Sequence, residues 1–397
     1  MRSRNDSRVR AEVLHRRGRA FALTAFAALA ILCAGETRAQ SQARPSAPAA
    51  PAGARQSKFQ PSAPLKARIW LIPENTMPDD PAAHPRSRSA TIVGRDATNL
   101  FVAPDKPGAA PAKIPLPRIA ALDFEIEYDR FAVSRATATG DWNLAVNLLR
   151  KAYSPFLPFL DAPGNNAIDG AYDLGAAMFS GARATMRAAA TGEDREQALR
   201  RFSAAHDVFA SCAKATWSDF GALAALRAIR CQLASDPAGA RRAERELNAI
   251  REPLPGDPTY GHYWLLRAEL ARLAGNSDAA LEAAVKSLAH ENKDVETFPD
   301  ALLVSAQCYD ATGNPYRARD VYFEVAKLFP STDWAADAMS LLRALMASGR
   351  LDKPEDSSAE SSFFGLEEDM NALANELLSA SGAGNGLVFD EADTLQE

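Results

Sequence analysis

The stretch Gly313-Asn314-Pro315-Tyr316-Arg317-Ala318-Arg319-Asp320-Val321-Tyr322-Phe323-Glu324-Val325-Ala326-Lys327-Leu328-Phe329-Pro330-Ser331 decides the fold. Glycine stops an incoming helix by adopting a left-handed conformation, and Asn314 caps the next one. Proline is tolerated in the first helical turn, where its missing N–H costs nothing. Ala318, Tyr322 and Val325 then recur at helical spacing, and Pro330 closes the segment. A small residue one turn into the helix permits close approach to its neighbour, and the large residue four positions later fills the remaining gap. Trp334, Ala335 and Ala338 start a further helix over 335–348 that covers the open end.

Working outward, the same grammar recurs. Gly140-Asp141-Trp142 precedes Ala145, Leu149 and Ala152; Gly192-Glu193-Asp194 precedes Ala198 and Phe202. Ser235-Asp236-Pro237 precedes Ala243 and Leu247, and Gly275-Asn276-Ser277 precedes Ala280 and Ala284. On the helices ahead of the last two turns, Trp264, Ala268 and Ala271 share one stripe, as do Leu302, Ala306 and Tyr309. Repetition at this period marks a stacked helical array, with five hairpins and a capping helix over 128–349.

These hairpins resemble tetratricopeptide repeats. The resemblance is carried by Gly275 and Gly313, thirty-eight residues apart, and by the run from Tyr316 to Pro330. It is similar to the final repeat of periplasmic tetratricopeptide proteins of the Tol–Pal-associated and outer-membrane assembly type. It implies a mainly α, non-catalytic solenoid that binds protein or peptide partners in a groove.

Ahead of the helices the composition changes. Ala67–Ile72, Ala90–Gly94, Thr98–Val102, Lys113–Leu116 and Arg118–Phe124 are short runs rich in β-branched and aromatic residues, punctuated by Pro, Gly and Asp. They predict a small antiparallel β module over 65–127, similar in shape to SH3-like or Sm-like barrels. The prolines flanking Leu116 imply an edge strand or a bulge there.

The two ends carry opposite charge. Seven arginines in the first nineteen residues lead into the apolar segment Ala20–Ala34, and Thr37 and Ala39 form a small-x-small site. That is the pattern of a secretory signal over 1–39, cleaved near Ala39; the apolar run is shorter than the ~20 residues a membrane span needs. An uncleaved anchor is the lesser reading. Leu32 before Cys33 argues against a lipobox, and Arg19 against twin-arginine export. An Ala/Pro-rich linker is expected over 40–64. At the other end, 350–362 reads as a polar linker. Phe363, Leu366, Met370, Leu373 and Leu377 recur at helical spacing as an acidic amphipathic helix over 363–380, docked on the array or serving a partner; an acidic tail follows over 381–397.

The chemistry-bearing patterns are few. Asp161–Asp169 imitates a calcium loop, but Pro163 and Tyr172 stand where ligands belong, so an inter-helix turn is expected. Gly382–Gly386 lacks the strand and helix that a nucleotide loop requires. His84, His206, His262 and His290 have neither metal-ligand spacing nor a nucleophile motif. No catalytic residue, metal or cofactor is expected. The net charge of −5 gives no field for nucleic acid. Cys212 and Cys231 are placed to pair across adjacent helices in an oxidising compartment, or to stay, with Cys308, as small buried residues; the second reading is favoured.

What remains is a groove. The first helix of each hairpin lines the concave face of such arrays. There His262, Leu266, Glu269, Arg272, Asp300, Gln307 and Asp310 are the candidate partner-binding residues, their mixed polarity suiting a protein or peptide better than lipid or nucleic acid. The expectation is a periplasmic or otherwise exported envelope scaffold or adaptor. The alternative is a cell-wall enzyme with accessory repeats, or a glycan- or peptidoglycan-binding protein.

Overall fold

The computed structural model describes residues 59–73, 85–104, 106, 108–290, 297–330 and 332–351. The signal segment expected over 1–39, the expected linker up to residue 58, and positions 352–397 of the expected C-terminal linker, helix and tail lie outside the described residues, whereas Arg350 and Leu351 of that linker lie within them. The chain is mainly helical, with a small antiparallel sheet of five strands ahead of the helices. It divides into two compact units between Tyr263 and Trp264.

In the first unit the strands are β1 Leu65–Leu71, β2 Arg86–Arg95, β3 Asn99–Val102, β4 Ala112–Pro115 and β5 Ile119–Phe124. Each overlaps one of the short runs read from the sequence. The order is β4-β3-β2-β1-β5, a meander whose fifth strand returns to pair with the first, after a single 3-10 turn at Leu116–Arg118. The prolines therefore mark an edge strand: β4 ends on Pro115, opposite Asn99. Ala67 and Ile69 of β1 are buried, as are Ile92, Leu100, Leu122 and Phe124 of the other strands, the period-2 alternation that hides every second side chain. Phe59, which the sequence reading assigned to the linker, exchanges two backbone hydrogen bonds with Arg95 (2.9 and 3.0 Å).

The free edge of β5 is covered by the segment that imitates a calcium loop. Leu122 N–H donates to the Pro163 carbonyl at 3.1 Å and the Leu122 carbonyl accepts from Asn166 N–H at 3.3 Å. The Asn166 carboxamide then accepts from Phe124 N–H (2.8 Å) and donates to the Phe124 carbonyl (2.9 Å), copying a strand's backbone. A Cβ on Gly164 would sit 2.7 Å from that of Ala121, and with φ at +58° the position suits glycine alone. Arg95 clamps the arrangement, pairing with Asp161 and donating to the Pro158 carbonyl. Phe59, Phe124, Phe156 and Phe159 stack beneath it with centroids 4.6 to 5.6 Å apart.

Helices α1 Arg130–Ala138, α2 Trp142–Tyr153, α3 Ile168–Ala188, α4 Gly192–Cys212, α5 Asp219–Ser235 and α6 Ala240–Ala249 complete this unit, each packing on the next. α3 is notched by glycines that receive aromatic rings from both neighbours. A Cβ on Gly170 would lie 1.9 Å from Tyr153 Cζ, and on Gly175 2.8 Å from the Phe209 ring; Gly181 lies against Trp142. Three arginines, Arg183, Arg227 and Arg230, are buried around Phe179, their guanidinium carbons 5.3 to 5.9 Å from its centroid.

The division of the chain falls within α7 Tyr260–Leu273; the second unit continues with α8 Ser277–His290, α9 Phe298–Ala311, α10 Pro315–Leu328 and α11 Asp333–Ala347. Leu265 and Ala268 pack with Ala280, Ala284, Ala301 and Val304. A second cluster joins Leu302, Ala306, Ala318 and Tyr322 to Trp334 and Ala338.

The hairpin grammar is visible in both units. Gly140, Gly275 and Gly313 have φ of 72°, 76° and 82°. The alanines one turn into the following helices, Ala145, Ala243, Ala280 and Ala318, are all 0% exposed, as is Ala198, the seventh residue of α4. Gly192 departs from the expectation. It is the first residue of α4, and Thr191 starts that helix by capping it in a reciprocal box with Asp194. The turn at Ser235-Asp236-Pro237 is also different, since Ser235 ends α5 and a 3-10 turn at Pro237–Gly239 leads into α6 with no side-chain cap.

Candidate functional site

The seven expected groove residues do not form one exposed face. His262, Leu266, Glu269 and Asp300 are buried, and only Arg272, Gln307 and Asp310 are partly open to solvent. The physical reason lies in the helices themselves. Tyr260, Tyr263, Trp264, Leu265, Leu266 and Leu270 run around α7 rather than along one stripe, and Pro299–Ala306 of α9 is buried without interruption. A helix that is apolar all round is an interior helix. Asp300 serves that interior: its carboxylate accepts from the buried Trp334 indole N–H at 3.0 Å.

Of the three partly open residues, Asp310 stands at the α9–α10 turn. Asn314 caps α10 by accepting from Arg317 N–H, and Gly313 reverses the chain, so Tyr309 and Asp310 stand beside Tyr316, Arg317 and Arg319. The Arg317 guanidinium lies over the Tyr309 ring at 5.9 Å and that of Arg319 over Tyr316 at 5.5 Å. Arg319 also pairs with Asp320 at 2.8 Å. The end of α11 closes on the same place. Arg350 pairs with Asp310 at 2.7 Å, and the Tyr316 hydroxyl donates to the Leu351 carbonyl at 2.9 Å.

Burial pushes the Tyr322 phenol well above its ordinary value, Asp310 adds to the effect, and Arg272 and Arg350 oppose it. Cys308 beside them is raised to about 11, first by burial. These groups are neutral at physiological pH and poor in nucleophilic character. Cys212 and Cys231 are free thiols, buried and raised to about 12. Among the described residues, no group of three or more His, Cys, Asp or Glu is placed to hold a metal ion, and no helix is long and apolar enough to cross a membrane.

Tyr309, Tyr316, Arg317, Arg319 and Arg350 were not singled out as binding residues from the sequence. The usable signal was the pairing of Tyr and Arg on both sides of one capped turn, the residue types that anchor protein interfaces. No protein-family model matches the chain, and comparison with characterised proteins finds no match.

Proposed function

We propose that this chain is an exported, non-catalytic scaffold of the bacterial cell envelope that binds protein or peptide partners through tetratricopeptide-like helical hairpins. The observation that carries the reading is the tyrosine–arginine surface at the α9–α10 turn, held in place by the Asp310–Arg350 pair and the Tyr316–Leu351 hydrogen bond. It replaces the wider groove as the contact site, with Arg272, Gln307 and Asp310 at its margin. The repeat reading is supported by the recurring positive-φ glycines and fully buried alanines. The strand order β4-β3-β2-β1-β5, with a 3-10 turn before β5, supports an SH3-like reading of the β module. Export rests on the arginine-rich start and the apolar run after it.

In-vivo crosslinking of the full chain followed by mass spectrometry tests the proposal. The expected result is crosslinked envelope proteins mapping to Tyr309–Arg319, with the mature chain beginning near Gln40. Crosslinks scattered over all helices, or an intact Met1 in envelope fractions, would overturn it. The glycan-binding reading is favoured by one feature, Trp70 half-buried on the sheet with the Arg68 guanidinium 5.9 Å from its ring.

A further inference from the structure

The last described residue is fastened at the tyrosine–arginine surface. Leu351 accepts from the Tyr316 hydroxyl, and its side chain packs against the cluster formed by α9, α10 and α11. The chain that follows, 352–397, holds twelve carboxylate side chains and a single cation, Lys353. Its first carboxylates are Asp352, Glu355, Asp356 and Glu360, so acidic chain begins at the residue next to the surface. The surface itself offers Arg317 and Arg350 exposed, Arg319 half-buried and Arg272 at the margin, against Asp310 and Asp320.

We propose that the acidic segment Asp352–Asp369 of this same chain docks on the Tyr309/Tyr316/Arg317/Arg350 surface and covers it until a partner displaces it. Two physical points favour this occupant over a free partner. Tethering at Leu351 turns docking into an intramolecular event with an effective concentration of about a millimolar or more. The segment is also complementary in charge, and a carboxylate matches the planar fork of an arginine. Phe363 and Leu366 lie within the segment and offer apolar contact to the two tyrosine rings. The inference rests on the reading of this surface as a partner site, and adds its regulation by competition.

The test uses the full chain with Cys33→Ser and Ser361→Cys, the latter carrying a nitroxide. Cys212, Cys231 and Cys308 are buried with raised pKa and stay unlabelled. Docking predicts that the amide signals of Tyr309, Tyr316 and Arg317 lose about half or more of their intensity, as expected for a site mostly occupied by a tethered ligand. At about 0.5 M salt, where screening acts within ~4 Å, the signals recover. Arg317→Glu with Arg350→Glu restores them at low salt, and Arg317→Glu alone restores them in part if the double variant does not fold. Unaffected signals at low salt, or broadening that persists in these variants, would refute the docking. So would broadening seen only when labelled chain is mixed with isotope-enriched unlabelled chain. Failure here with crosslinks still mapping to Tyr309–Arg319 removes the cover and leaves the partner site; scattered crosslinks with intact broadening do the reverse.

Discussion

Helix α3 and the hairpins of α8 to α11 solve the same packing problem in opposite ways. In the second unit both helices of a hairpin come close because alanines stand at the crossings, and the turns are shaped by glycine backbone. In α3 the close approach is made by glycines at 170, 175 and 181, each filled by an aromatic ring from α2 or α4. Glycine costs helix stability, by roughly 1 kcal/mol relative to alanine. The gain in α3 is burial of large rings, which contribute more per residue than an alanine crossing. One mode is set by local chain geometry and the other by side chains distant in sequence.

The sharpest way to break this contrast is Gly170→Ala. Its new Cβ meets the Tyr153 ring at 1.9 Å, so an overpacking loss of about 3 kcal/mol is expected. Chemical denaturation of the isolated variant measures it; a change near zero would mean that the ring moves freely. Next is Asn166→Ala, which removes both hydrogen bonds to Phe124 and should cost about 2 kcal/mol. Hydrogen exchange at the Phe124 amide should rise in parallel. Gly313→Val is expected to cost about 1 kcal/mol, because the site has φ of +82° and no atom within 4 Å of a new Cβ, so the loss is one of backbone alone. Unchanged thermal stability would remove the turn's role.

The smallest effect concerns acid. In the first unit α1, α2 and α4 are capped by Asp129, Asp141 and the Thr191–Asp194 box and α5 by Ser218; in the second, α8, α10 and α11 are capped by Asn276, Asn314 and Thr332. Hydrogen bonds from Thr191 hold Asp194 below its ordinary 3.8. A depressed folded-state pKa means that the box stabilises above 3.8 and is lost as pH falls through the lower, folded value. Amide exchange at the start of α4 should therefore accelerate in acid while that of α10 does not. Equal acceleration in both would contradict the cap assignment.

The strands and the last hairpins were legible because their signals are local. β-branched runs between prolines and glycines, and Gly-Asn before a small-residue stripe, each carry their own conformation. Gly192 misled for the same reason: Thr191 one residue earlier is the cap that starts the helix. The groove was not legible. Placing His262, Leu266, Glu269 and Asp300 on an outer face assumed a two-sided helix, whereas burial on all sides depends on neighbours no local pattern specifies. The tyrosine–arginine surface escaped because it joins Tyr309, the Tyr316–Arg319 turn and Arg350 across one capped turn and the end of α11.

The cover over β5 bears on the order in which the chain must emerge. β5 ends at Phe124, but the carboxamide that completes its edge belongs to Asn166, synthesised forty-two residues later. Throughout that interval the strand presents unpaired amides to any neighbouring extended chain. Emergence of Asn166 is thus the moment at which the first unit becomes safe from mispairing, and a pause in synthesis shortly before it is where aggregation would begin.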